Sequence, residues 1–144
     1  MARAYFSTVM GKSADAVWSE IRSFDDYEWA GTVSETAMED GRPGDAVGGV
    51  RRIVAADRQM RQRLLAHSDV DRSYTYEFCD PNPYPVRDYR ATLRVTPVTD
   101  TGQAFVEWWA TFDCAEHEID KWTKHFEQTG FATWLGSLRT RLQA

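Results

Sequence analysis

With 144 residues and two cysteines, Cys79 and Cys114, the chain fits one domain of ordinary size that folds without disulfide staples, and residues 1–144 read as that single domain. A net charge of −5 lacks the clustered Lys and Arg excess of a nucleic-acid footprint, and no apolar run approaches the roughly 18 residues that span a bilayer. The start, Met1-Ala2-Arg3-Ala4-Tyr5-Phe6-Ser7, carries no apolar leader core, so we expect a cytoplasmic protein with free thiols, no nucleic-acid partner and no stable membrane insertion.

Tyr5 to Met10 alternates as a strand that Gly11-Lys12 ends. Ser13 is placed to cap a short helix, with Asp15 in its first turn and Val17, Trp18, Ile21 and Phe24 as its apolar stripe. Asp25-Asp26-Tyr27-Glu28-Trp29 reads as a second helical turn. Val33 to Met38 is extended, and Asp40-Gly41-Arg42-Pro43-Gly44-Asp45 supplies turn chemistry. Strands follow over Gly49 to Val54, Met60 to Leu65, Ser73 to Phe78, Arg87 to Val95 and Gln103 to Phe112, with turns at Ala56-Asp57-Arg58, His67 to Asp71 and Pro97 to Gly102. Between Cys79 and Pro85, Pro81, Pro83 and Pro85 remove ladder donors and predict an irregular loop. The basic run Arg51-Arg52, Arg58, Arg61 and Arg63 alternates with Met60, Gln62 and Leu64, and reads as the solvated side of strands rather than a phosphate-binding patch.

From about Glu116 to Leu142 the pattern is helical, with acids at the start and Arg139 and Arg141 near the end, over about 40 Å. The stripe Ile119, Trp122, Phe126 changes phase before Phe131, Leu135, Leu138 and Leu142, which predicts a bend near Thr129-Gly130. Short loops imply antiparallel neighbours. The expected fold is α+β: a curved antiparallel sheet of about six or seven strands wrapped around one long C-terminal helix, with two short helices between the first two strands and an internal cavity.

One face of this sheet is aromatic. Val106, Trp108, Ala110 and Phe112 fall on one side of their strand and Glu107 and Thr111 on the other, and Tyr74, Tyr76 and Phe78 repeat the pattern. Tyrosine and tryptophan need partners for O–H and N–H, so such a face points to a site that is apolar without being dry; an aromatic core with polar tips at the surface is the alternative. Arg51 shares parity with Ile53 and is expected inward, as a buried cation for a ligand or in an ion pair with Glu35 or Asp88.

Seven segments stand in order along the chain: Ala14-Asp15-Ala16-Val17-Trp18, Phe24-Asp25-Asp26-Tyr27-Glu28-Trp29, Gly48-Gly49-Val50-Arg51-Arg52, Arg63-Leu64-Leu65, Arg72-Ser73-Tyr74-Thr75-Tyr76, Asp88-Tyr89-Arg90-Ala91-Thr92-Leu93-Arg94-Val95-Thr96-Pro97 and Val106-Glu107-Trp108. Together they resemble the START-like helix-grip (SRPBCC) superfamily, in its polyketide cyclase/dehydrase branch near the plant abscisic-acid receptors. The resemblance places Gln62, Tyr76, Tyr89, Trp108, Ala110 and Trp134 among cavity-lining positions. The receptors' ligand-holding lysine has its counterpart near Glu28, and their Ser-Gly-Leu-Pro gate is replaced by Ala56-Asp57-Arg58-Gln59, so abscisic acid sensing is not expected.

The resulting expectation is an internal site for a hydrophobic or aromatic small molecule, used for cofactor-independent cyclisation or dehydration of a polyketide-like intermediate in secondary metabolism. Arg51, Tyr76 and Tyr89 would polarise a carbonyl or hold an enolate, and Glu35, if inward, or Glu28 would be the base. Trp29, Gln62, Tyr74, Phe78, Trp108, Ala110, Phe112 and Trp134 would contact the ligand. A non-catalytic carrier or sensor of lipids or small molecules needs the same cavity and no base. His67, His117 and His125 have no metal-ligand spacing, and neither a metal nor a cofactor is expected. Trp109, outward by alternation, would mark a homodimer contact.

Overall fold

Turn residues separate each strand from the next, so the chain folds back on its neighbour repeatedly; the computed structural model, which describes residues 1–56 and 58–143, has this meander. The strands are β1 (Ala2–Met10), β2 (Val33–Met38), β3 (Val50–Ala55), β4 (Arg58–Ser68), β5 (Ser73–Phe78), β6 (Arg87–Pro97) and β7 (Ala104–Asp113). They form one antiparallel sheet in the order β1-β7-β6-β5-β4-β3-β2. Helix α1 (Ala14–Ile21) and a 3₁₀ turn (Glu28–Ala30) lie between β1 and β2. The turn predicted at Ala56-Asp57-Arg58 begins with Ala56 at a φ of 56°, and Asp57 lies outside the described residues. His67, expected in a turn, extends β4 instead and pairs with Tyr74, because the ladder runs on to Ser68.

The C-terminal segment departs from an ordinary α-helix where the sequence changes phase. A 3₁₀ turn (Glu116–Glu118) leads into α2 (Ile119–Lys124), a π-helical stretch over His125–Ala132, and α3 (Thr133–Gln143). The step from Phe126 to Phe131 is the five-residue spacing of a π turn, which lets both rings face the sheet across the phase change. The predicted bend is thus a local change of helical winding. No helix among the described residues is long and apolar enough to cross a membrane.

The arginine run is largely explained by ion pairs on the outer face. The Glu39 carboxylate accepts from Arg52 Nε at 2.9 Å, Arg61 Nε at 2.6 Å and Arg61 Nη2 at 2.9 Å, and Arg63 reaches Glu77 at 2.9 Å. These two guanidinium groups hold the Glu39 carboxyl at about 2, below its ordinary value. On the same face Trp109 is half-buried, with the Arg3 guanidinium 6.0 Å from its ring centre and 5.3 Å from that of Tyr5.

At the sheet's end, Asp69 in the β4–β5 turn ties down α1. It accepts from Trp18 Nε1 at 2.8 Å and takes both Arg22 Nε and Nη2 at 3.0 Å. Those donors depress the Asp69 carboxyl well below the ordinary value of 3.8. A depressed carboxyl stabilises the fold above its unfolded pKa and loses that contribution as pH falls through the folded one. Asp69→Asn should therefore lower the thermal midpoint at pH 7, and the gap from wild type should narrow on acidification below the 3.8 of the free acid, in a melting series.

Candidate functional site

Period-2 alternation turns Arg51 and Ile53 of β3, Gln62 and Leu64 of β4 and Tyr74 and Tyr76 of β5 toward the C-terminal helix. Arg51 and Gln62 are direct cross-strand partners. The Gln62 Oε1 accepts from Arg51 Nε at 2.9 Å and Nη2 at 2.6 Å, while Arg51 Nη1 donates to the Phe24 carbonyl at 3.3 Å. The guanidinium lies 3.8 Å from the ring centre of Phe24 and 3.9 Å from that of Tyr27, with Tyr76 at 5.3 Å.

Arg51 is fully buried, yet among the described residues it takes part in no ion pair. Its two expected carboxylate partners, Glu35 and Asp88, are both exposed. The nearest acceptors are a neutral amide and a backbone carbonyl, and the two facing aromatic rings contribute attraction on the order of 2 kcal/mol each when desolvated. Beside it, the Tyr27 and Tyr74 hydroxyls are buried without a hydrogen-bond partner. Trp108 Nε1 donates to the Tyr76 hydroxyl at 3.2 Å.

Burial raises the pKa of Tyr27, Tyr74, Tyr76 and Tyr89, with the Arg51 charge working against it at Tyr27, Tyr74 and Tyr76. All four phenols are therefore neutral near pH 7 and can donate hydrogen bonds. None is a base.

Between sheet and helix a narrow cleft of about 20 Å³ remains, room for roughly one water. Of the residues read as functional from the sequence, Gln62, Tyr76, Phe78, Tyr89 and Trp134 line it. Tyr89 is aimed there across a register shift between Arg87 and Arg90, where Asp88 takes a φ of 54°. Trp29, Tyr74, Trp108, Ala110 and Phe112 are buried in the aromatic core and do not border the cleft, and Arg51 lies fully buried behind Tyr27 and Gln62 without bordering it. Tyr27, Ile53, Met60, Tyr84 and Phe126 line it without having been singled out. Parity with Arg51 and Gln62 marked Ile53 and Met60, and the helical stripe marked Phe126; nothing in the proline-rich loop marked Tyr84.

Glu35 does not point inward. Alternation from Val33 would place it there, but the β2–β3 register shifts between Val33 and Glu35, and the bulge passes the inward position to Thr36, opposite Ile53. Glu35 instead borders an open groove of about 480 Å³ on the outer face with Arg52 and Arg61. Glu28 is exposed as well, so neither carboxylate expected as a base reaches the cleft.

The cleft opens on a larger space of about 490 Å³ at its mouth. The two share Thr32, Ala55, Met60, Tyr84 and Trp134 as a common rim. Trp134 is fixed across this rim by its Nε1 bond to Thr32 Oγ1 at 3.1 Å. Gly130 lets it lie there: a Cβ at that position would meet the Trp134 ring at 3.2 Å.

Comparison with known proteins agrees with this architecture. The family described as polyketide cyclase / dehydrase and lipid transport matches residues 1–144. A solution structure from Thermobifida fusca superimposes with a TM-score of 0.87 at 27% identity, covering 98% of this chain and 93% of that one. The protein XoxI from Bacillus cereus does so at 0.86 with 26% identity, covering 99% and 96%. A protein from Nitrosospira multiformis, 24% identical over 96% of this chain and 94% of its own, shares the fold at 0.79. A search of curated proteins finds no match to the chain.

Proposed function

Since the chain belongs to the polyketide cyclase/dehydrase and lipid transport family over its whole length, we propose that it takes a hydrophobic or aromatic small molecule between sheet and helix and cyclises or dehydrates it. The observation that carries this reading is Arg51, a buried cation without a carboxylate partner among the described residues, beside tyrosine hydroxyls that lack acceptors. Tyr27 is the member of this cluster that borders the cleft, so a substrate carbonyl oxygen drawn past it would accept from the Tyr27 hydroxyl and from the guanidinium behind it. In an aldol-type closure the α-proton passes to a water in the cleft and the enolate carbon forms the new bond to a second carbonyl carbon, whose oxygen takes up the proton; the fixed donors stabilise the enolate oxygen more than the ketone. Gln62 holds the guanidinium by two of its N–H groups, and the aromatic walls exclude water and fold the reacting chain against itself.

Occupation requires the rim to move, because the cleft as it stands admits no drug-sized molecule. Trp134 and Tyr84, each bordering both the cleft and the mouth, are the side chains whose displacement would widen it.

A carrier of hydrophobic molecules needs the same space without the cation. Native mass spectrometry of the protein purified from its own host provides the test. The expected result is an adduct of an aromatic or poly-β-keto compound, converted on incubation to a product lighter by one water or, at equal mass, to a cyclised isomer that the released compound's changed retention time and absorbance reveal. Recovery of an unchanged lipid after prolonged incubation would replace the enzyme reading with the carrier.

A further inference from the structure

We propose that the mouth of the cleft selects for an acidic headgroup: the ligand is an amphiphile whose apolar body enters between sheet and helix while a carboxylate or similar oxyanion stays against Arg58 and His125. This rests on the cavity reading above and adds the chemistry of the ligand's outer end.

The protein carries a net charge of −5, yet no described residue lining the mouth is a carboxylate. Its charged chemistry comes from Arg58, at the start of β4, and His125, at the start of the π-helical stretch. Arg58 is oriented rather than loose: its Nη1 donates to the Pro83 carbonyl at 3.2 Å and its guanidinium lies 5.4 Å from the Tyr84 ring centre. Most of its donors remain for a ligand. Of the arginine run, Arg52, Arg61 and Arg63 are taken up by ion pairs on the outer face and Arg51 is buried, whereas Arg58 at the start of β4 lines the mouth.

His125 is wedged among aromatic rings, with centroids 5.2 Å from Trp122, 5.3 Å from Tyr84 and 5.6 Å from Phe126. Neither ring nitrogen has a hydrogen-bond partner among the described residues. Burial first, then the charges of Arg58 across the mouth and Lys121 one turn back, hold its pKa below 6.5. The other titratable group packed on it is the Tyr84 phenol, itself pushed up by burial. A neutral imidazole here donates one N–H to an oxyanion, and the oxyanion's charge offsets the two cations and favours the protonated ring. The headgroup and a second positive charge thus bind together, more strongly as pH falls. A π-helical turn at this wall is the kind of irregularity that accompanies binding sites. The apolar rim of Met60, Ala55 and Trp134 leads from the headgroup position into the cleft.

Two dyes with one aromatic body separate the headgroup from the cavity: 8-anilinonaphthalene-1-sulfonate and the uncharged N-phenyl-1-naphthylamine, titrated by fluorescence. The sulfonate should bind wild type about tenfold more tightly, as one charge-assisted hydrogen bond allows. Arg58→Gln should remove that advantage and leave the neutral dye unchanged. In wild type the sulfonate's affinity should rise as pH falls through the histidine range, and His125→Gln should flatten the rise. Equal binding of both dyes, or equal losses for both in Arg58→Gln, would overturn the headgroup proposal while leaving the cavity standing. If neither dye binds wild type, the cavity reading fails and takes this one with it.

Discussion

Arg51→Met is expected to cut turnover of a poly-β-keto substrate by about 10²–10³-fold, the usual cost of removing one preorganised oxyanion donor, while leaving the thermal midpoint unchanged or raised. The two halves of that expectation have one cause. Guanidinium burial costs several kcal/mol of hydration, and here the return comes from a glutamine amide, one carbonyl and two aromatic faces instead of a carboxylate. Methionine keeps the apolar stem, fills much of the volume and removes the unpaired charge; its cost is a Gln62 amide oxygen left without its two donors, on the order of 1–3 kcal/mol unless a water or rotation rescues it. These terms nearly cancel for folding. They do not cancel for an enolate, because methionine supplies no donor at all. Turnover and ligand affinity measured on wild type and variant decide between readings: a carrier shows no turnover in either and can lose only affinity, whereas a cyclase loses turnover while retaining the ligand.

How far the chain declares this site in advance depends on which kind of regularity each residue obeys. Alternation identified the inward faces of β3, β4, β5 and β7, so Arg51, Gln62, Tyr76 and Trp108 could be placed without a structure. Where a strand breaks its own period the same argument fails. At Glu35 a bulge invisible in the residue pattern reverses the side-chain direction, and the expected base moves to the outer face. In the helix the five-residue step between Phe126 and Phe131 marks the place of the irregularity, which the structure resolves as a π-helical stretch where the phase change alone predicts a bend. Parity also cannot separate a cavity wall from a core. Tyr76 and Trp108 both point inward, but only Tyr76 borders the cleft, because helix residues Phe131 and Trp134 cover the indole. The position of His125 at the mouth follows from the proline-rich loop and the β3–β4 turn meeting the helix, a long-range outcome with no local signal.

That distinction between wall and core predicts opposite behaviour for two tryptophans in contact. Trp108 is fully buried, stacked on Phe131 at 4.9 Å with Trp134 at 5.2 Å and Trp29 at 5.8 Å. Its replacement by alanine removes those contacts from a site flanked by the sheet, which cannot collapse to refill it, and leaves the Tyr76 hydroxyl without its indole donor. We expect a loss of about 3–5 kcal/mol, read by urea denaturation, and a fall in midpoint on the order of 10 °C. Trp134 is only half-buried and borders both cleft and mouth, so Trp134→Ala gives up less packing and its space is open to solvent on one side. Its stability loss should be clearly smaller, and its effect should appear in binding: a wider rim admits the neutral naphthylamine faster and releases it faster, in stopped-flow fluorescence. The inverse ranking, with Trp134→Ala the more destabilised and the dye's rates altered only in Trp108→Ala, would mean that the ligand enters beneath Trp108, between β7 and the helix.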